Sequence, residues 1–146
     1  MNKYDTQTPY CASYLIFRKG DKVAFVLREN TSWMNGYYGL PSGKVENDEN
    51  FVDCALREAK EETGFSLNKD QIVYTHTSHR KAENPWVDVY FEVVDCKQQP
   101  VNNEPDIHSE LAWLDINNLP ENVIPSVRDT LESIAKGELF SQNGWG

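Results

Sequence analysis

No cluster of Lys and Arg interrupts this chain: 14 basic residues face 23 acidic ones, for a formal charge of −9. Phosphate backbones are held by a basic footprint, so this balance argues against a dedicated nucleic-acid surface. It leaves open a small phosphate-bearing ligand whose charge a metal ion neutralises. Long apolar runs are missing too. Nothing approaches the roughly 20 residues of a membrane-spanning helix, and Met1–Pro9 is polar without a signal-peptide pattern, so no membrane partner is expected. Cysteine is scarce. Cys11, Cys54 and Cys96 are odd in number and form no CxxC pair, which reads as reduced thiols in a cytoplasmic protein. Repeats, low-complexity tracts and a dividing linker are absent. What remains, 146 residues at 39% hydrophobic and 25% charged, fits one compact domain over residues 1–146.

The pattern alternates strands and helices. Tyr10–Arg18 and Lys22–Arg28 read as strands around a Lys19-Gly20-Asp21 turn. Asn30–Gly43 reads as a loop, followed by a short extended Lys44–Glu46 and then a helix. Gln71–Ser78, Trp86–Val94 and Leu111–Leu114 are further strands, with a connection over Cys96–Glu110. Ser126–Lys136 is a second helix, with Pro125 at its start and Gly137 at its stop. The expected class is α/β or α+β, a mixed sheet with helices on both faces. Ser141–Gly146 is either a loose tail or a clamp at an interface.

The first helix, Asn50 to Gly64, carries the chemistry. Asn50 suits the N-cap, with Asp53 placed to complete a capping box, and Gly64 is a natural C-terminal stop. Val52, Ala55, Leu56 and Ala59 form an apolar arc; Arg57, Asp53 and Lys60 lie toward solvent. Glu58, Glu61 and Glu62 fall within about 100° of one another, at the end where the helix dipole already carries roughly half a negative charge. Like charges at this spacing repel by about 0.2–0.5 kcal/mol per pair. A solvated acidic face paired to Arg57 and Lys60 is the bland reading. A hard divalent cation with oxygen ligands is the sharp one. The upstream loop Tyr37–Glu46 favours the second, because Gly39 and Gly43 permit close backbone approach and Pro41 stiffens the turn between them.

Loop and helix together resemble the signature of the Nudix hydrolases, G-x5-E-x7-R-E-U-x-E-E-x-G-U, where U is a bulky apolar residue. Gly43, Glu49, Arg57, Glu58, Ala59, Glu61, Glu62, Gly64 and Phe65 fill it without a gap, with Ala59 the one soft match. Pro41-Ser42-Gly43 replaces the usual Pro-Gly-Gly, a small change. Weaker similarity runs outward through the opening strands and Leu111–Leu114.

The resemblance implies an α/β/α sandwich with a central mixed sheet and a hydrolase of nucleoside diphosphate derivatives that uses Mg²⁺ or Mn²⁺. It implies metal ligation by Glu58, Glu61, Glu62 and the Gly43 carbonyl, with Glu58 or Glu61 taking the proton of the attacking water. Arg57 would orient this cluster and Glu49 would support it. Substrate-phosphate contacts fall to Arg28 and Lys44. Trp33, Tyr37, Tyr38 and Trp86 are candidates to stack on a base, and Glu104 is a candidate extra carboxylate. His76, His79 and His108 lack metal-ligand spacing and read as surface or hydrogen-bonded residues. Arg80 and Ala82 stand near the places where ADP-ribose and dinucleoside-polyphosphate branches carry marker residues, so neither branch is favoured. The compact size resembles the nucleoside-triphosphate group. The expected reaction releases a monophosphate and pyrophosphate from a nucleoside triphosphate, damaged ones included. A nucleotide-sugar hydrolase and an inactive nucleotide-sensing module are the alternatives; homodimers are common among similar enzymes.

Overall fold

The structure, a computed structural model, describes residues 5–94 and 99–146. Cys96 and the first four residues of the polar N-terminal stretch lie outside the described residues. Two sheets and two helices make an α+β architecture. The first sheet runs in the order β5 (Ser42–Lys44), β1 (Tyr10–Ile16), β7 (Pro85–Val93), β6 (Ile72–Lys81) and β9 (Phe140–Asn143). It is mixed, because β1 pairs parallel with β7 and β9 parallel with β6, while β5 and β6 pair antiparallel with β1 and β7. In the second sheet β3 (Lys22–Arg28) pairs with β2 (Arg18–Lys19), β4 (Tyr38–Gly39) and β8 (His108–Asp115).

The period of two along β1 sorts the core. Ala12, Tyr14 and Ile16 point to one side, where they join Val127 and Leu131 of α2 (Pro125–Ala135). Leu15 points to the other, against Ala55 and Ala59 of α1 (Phe51–Thr63). Both faces of β1 are therefore buried, and the helices flank the sheet as expected. Phe51, whose azimuth fits poorly with the rest of the apolar arc, packs against the α1-side cluster.

β6 runs on to Lys81, past the expected Ser78, and β8 begins at His108, before the expected Leu111. Four further features differ from expectation, each for a local reason. The first strand breaks at Phe17, which stacks on Phe65 (5.6 Å between centroids) and hands the chain from the first sheet to the second. The expected loop before α1 contains β4 and β5, each too short for periodicity to register. Residues 140–143 form a strand, although their alternation is weak, because the edge of β6 is free to receive them. Finally, Asp53 does not close a capping box: its carboxylate accepts from the Asn50 side chain (3.1 Å), not from the Asn50 backbone. Among the described residues no helix is long and apolar enough to cross a membrane.

The ends of α1 are fixed by its own residues. Asn50 Oδ1 accepts the Asp53 N–H at 2.8 Å, and Gly64, at φ +77°, returns its N–H to the Ala59 and Lys60 carbonyls. Replacing Asn50 by Ala is expected to cost about 1 kcal/mol, and by Gly only a few tenths, in urea unfolding. Equal losses from the two substitutions would remove the cap bond as the cause.

Candidate active site

β1 aligns the loop and the helix. Leu15 N–H donates to Pro41 O (2.9 Å) and Val45 N–H to Cys11 O (2.8 Å), so the Pro41–Val45 segment is sewn onto β1 at both ends. Ser13 Oγ donates to the Phe51 carbonyl at 2.7 Å, which ties the first turn of α1 to the same strand. Helix and loop are thereby brought face to face. A Cβ on Gly43 would stand 2.0 Å from Glu58 Oε1, so the carboxylate rests directly on the glycine backbone. Ser42 N–H donates to Glu62 Oε2 at 3.0 Å, and the Gly43 carbonyl faces Cys54 Sγ at 3.5 Å.

Glu58 and Glu62 are buried, at 8% and 7% exposure, while the Glu61 side chain remains half in water. Arg57 does not point to solvent as its helix azimuth suggests. Its long stem bends back, and Nη1 donates to Glu58 Oε1 (2.7 Å) and Glu61 Oε2 (3.1 Å). Nε and Nη2 take both oxygens of Glu49 at 2.8 and 3.0 Å, and Nη2 also reaches the Lys44 carbonyl. Such forked, charge-assisted bonds are the strong kind. They hold the Glu49 carboxyl down at about 2.

Glu58 goes the other way. Burial pushes it up to about 7, with Glu61 and Glu104 adding repulsion against the pull of Arg57. Burial and then Glu58 push Glu62 well above the usual carboxylate range, with Ser42 N–H and Arg28 opposing. Glu104 arrives from the segment after β7. Asn103 donates its backbone N–H to Glu62 O (3.0 Å) and its side-chain amide to Glu61 O (3.1 Å), which pins the segment over the end of α1. Nothing in sequence spacing marks Asn103 for this role.

The donor set suits a hard cation, since it is all oxygen and carries more negative charge than Arg57 offsets. Among the described residues, however, no three acidic, His or Cys groups converge on a single point. Arg57 engages one oxygen of Glu58 and one of Glu61.

Beside Gly43 opens a cleft of about 390 Å³, within the usual range for small-molecule sites. Arg28, Lys44, Trp33 and Trp86, all singled out in the sequence, line it together with Arg80 and Tyr14. The sequence gives Arg80 no binding role. Its guanidinium bonds Asp88 at 2.6 and 3.3 Å and lies 4.8 Å from the Trp86 ring centroid. Lys44 Nζ sits over Tyr10 and Trp86, and Arg28 over Trp33.

Tyr37 and Tyr38 do not line the cleft. Tyr38 packs on the α2-side core and gives its hydroxyl to Glu110. His108 departs from expectation as well. It is buried, its Nδ1 has no partner among the described residues, and burial with Arg28 nearby pushes it down to about 4. His76 and His79 are hydrogen-bonded, as read from the sequence. A larger hollow of about 470 Å³, between Asn117 and α2, contains none of the acidic cluster.

The chain has relatives. The m7GpppN-mRNA hydrolase of Saccharomyces cerevisiae is 28% identical over 130 residues, covering 86% of this chain but 12% of that protein. The chain therefore spans about an eighth of the length of that curated relative. The RNA pyrophosphohydrolase of Erythrobacter litoralis is 21% identical over 150 residues, covering 90% of this chain and 91% of that one. A MutT NUDIX hydrolase structure from Burkholderia pseudomallei superposes with a TM-score of 0.76 at 23% identity, over 86% of this chain and 98% of that one, and so shares the fold. The NUDIX domain family model matches residues 8–134, a span that includes both the Gly43 loop and the acidic helix, and on that match the chain belongs to the Nudix family.

Proposed function

We propose that the chain hydrolyses nucleoside triphosphates, damaged ones included, to a monophosphate and pyrophosphate with Mg²⁺ or Mn²⁺. One observation supports this above the rest: two buried, mutually repelling carboxylates, Glu58 against the Gly43 backbone and Glu62 on the Ser42 amide, lie beside a cleft lined by cations. Glu58, Glu61, Glu62 and the Gly43 carbonyl would hold the ion. When bound, it supplies charge neutralisation for the phosphates and a lowered water pKa.

The protein groups divide the remaining work. Water attacks phosphorus, the anhydride P–O bond breaks, and the leaving phosphate oxygen carries away the bond's electrons. Glu58 takes the proton released by the water, a role that suits a carboxyl poised near neutrality. Arg57 holds Glu58 and Glu61 in register, and Glu49 holds Arg57. Arg28 and Lys44 bind phosphate oxygens. Base stacking falls to Trp33, because the sheet register sets Trp86 between Tyr10 and Arg80. Tyr38 has no part in this scheme.

A second reading is that the triphosphate sits on the 5′ end of an RNA. Two curated relatives named for RNA favour it. The charge of −9 weighs against a long RNA footprint. Incubating the purified protein and Mg²⁺ with nucleoside triphosphates, nucleotide sugars and 5′-triphosphate RNA tests these readings. Pyrophosphate released from free triphosphates supports the first. Two monophosphates from sugar conjugates point to a nucleotide-sugar hydrolase, release from RNA alone supports the second reading, and binding without turnover indicates a sensing module.

Two substitutions probe the site itself. Glu62→Gln is expected to lower the rate by orders of magnitude with the fold intact, because it removes one of two repelling charges. Gly43→Ala places a methyl group where the Glu58 carboxylate lies, and is expected to displace that flexible side chain and the activity with it. Wild-type rates and Mg²⁺ dependence in both variants would end the metal assignment.

Stability without metal should follow the raised carboxyls. A folded pKa above the unfolded value of 4.5 contributes stability that is complete below that value and lost as pH rises through about 7. Tm measured in EDTA is therefore expected to fall between about pH 5 and pH 8. Mg²⁺ should restore it at the upper end, and Glu58→Gln should flatten the slope. A slope equally steep in Glu58→Gln would assign the effect to other groups.

A further inference from the structure

Strand β6 supplies part of the cleft wall, through Arg80 and the Ala82–Asn84 turn that follows the strand. Asp88 fixes Arg80 from within the sheet. The other side of β6 would be a bare sheet edge if the chain did not return to it after α2. It returns with unusual thoroughness. The backbone pairs in parallel from Thr77↔Phe140 to Arg80↔Asn143. On one face, Ser141 Oγ meets His76 Nε2 at 2.8 Å and Asn143 Nδ2 donates to Ser78 Oγ at 2.7 Å.

Residues 144 and 145 continue the grip past the strand. Trp145 Nε1 donates to the His79 carbonyl at 2.9 Å, its ring lies 4.7 Å from the His79 ring, and Lys81 Nζ hovers over it at 5.4 Å. Gly144 has φ +78°, and a Cβ there would stand 2.1 Å from the Lys81 carbonyl oxygen. No other residue fits that crossing without moving backbone. Trp145 nevertheless stays 40% exposed, so core burial is a poor account of its placement. Asn143 and Gly144 also border a hollow of about 250 Å³ that shares Trp33, Arg80 and Ala82 with the cleft.

We propose that Asn143–Trp145 is a positioning strap for substrate binding, which sets Arg80 and the Ala82–Asn84 turn and so the affinity of the cleft for nucleotide. It rests on the reading above that this cleft receives the nucleotide. Among the described residues the strap makes none of its hydrogen bonds to the carboxylate cluster, so binding and chemistry should respond separately.

The test uses the full chain with Mg²⁺ and the nucleoside triphosphate turned over fastest in the substrate panel. Trp145→Ala and Gly144→Ala, made separately, are expected to raise KM about tenfold with kcat within about twofold of wild type, the signature of lost uniform binding. The Mg²⁺-induced rise in Tm should be unchanged. In an Arg80→Lys background Trp145→Ala should add no further KM effect, because positions acting through one another are not additive. A lowered Tm with unchanged KM in both strap variants would reduce the segment to a structural edge cover. KM effects that simply multiply in the Arg80→Lys background would also overturn the proposal. A wild-type chain that turns over triphosphates while the strap variants match it retires the strap alone. A wild-type chain that turns over none retires the nucleotide reading and the strap with it.

Discussion

Arg57 is the one cation among four carboxylates, and the local structure is organised around it. Its guanidinium lies within ion-pair distance of Glu46, Glu49, Glu58 and Glu61 and also takes the Lys44 carbonyl. It therefore ties the start of α1, the middle of α1 and the Gly43 loop to one point. Without such a tie, Glu58 would face Glu62 in a desolvated site with no cation to offset its charge, while Glu62 would keep only the Ser42 amide. The compensation is deliberately incomplete in effect. Glu49, gripped on both oxygens, is driven down, while Glu58, gripped on one and crowded by Glu61 and Glu104, is driven up. One arginine thus divides a set of like residues into an anchor and a poised group, which is how environment separates roles among chemically identical side chains.

β1 performs the matching task for the backbone. It is apolar on both faces because helices cover both, and its carbonyls and amides at the edge hold the Pro41–Val45 segment. Ser13, buried in that same strand, spends its hydroxyl on the first turn of α1. A strand fixed by two cores is a rigid ruler. Loop and helix measured against it can bring a glycine backbone and a carboxylate into contact without either element being strained.

The parts legible in the sequence were those specified by local chemistry. Asn50 and Gly64 bound α1 by capping; the spacing of Glu58, Glu61 and Glu62 placed them on one side; Arg28, Lys44, Trp33 and Trp86 do meet in the cleft. The illegible parts depend on distance in space. Arg57 lies toward solvent on a helical wheel, which fixes Cβ and not the end of a long side chain, so its place among the carboxylates was implied by the family resemblance and not by the azimuth. Phe17 could not be distinguished as the residue that changes sheets, since a buried aromatic looks alike on either side of the break. Tyr38 resembled a base platform by composition, and only the β3–β4 pairing shows it turned to the α2-side core. β9 and Asn103 find their partners more than 40 residues away, beyond any pattern that a window along the chain can contain.

Arg28 shows how the acidic and basic halves of the site communicate. The β3–β8 register shifts between Leu27 and Arg28, an irregularity of the kind that re-aims a side chain at the end of a strand. Arg28 there lines the cleft, with its Nε anchored on the Trp33 carbonyl at 3.0 Å. From this position it opposes the burial that raises Glu62 and adds to the burial that lowers His108, so its field reaches Glu62 as well as the opening of β8. Lys44 has no comparable reach toward Glu62, since it is drawn over Tyr10 and Trp86. Within a protein of charge −9, a positive cleft beside a negative cluster needs one cation felt by both. Arg28 is that cation, since it lines the cleft and opposes the burial that raises Glu62.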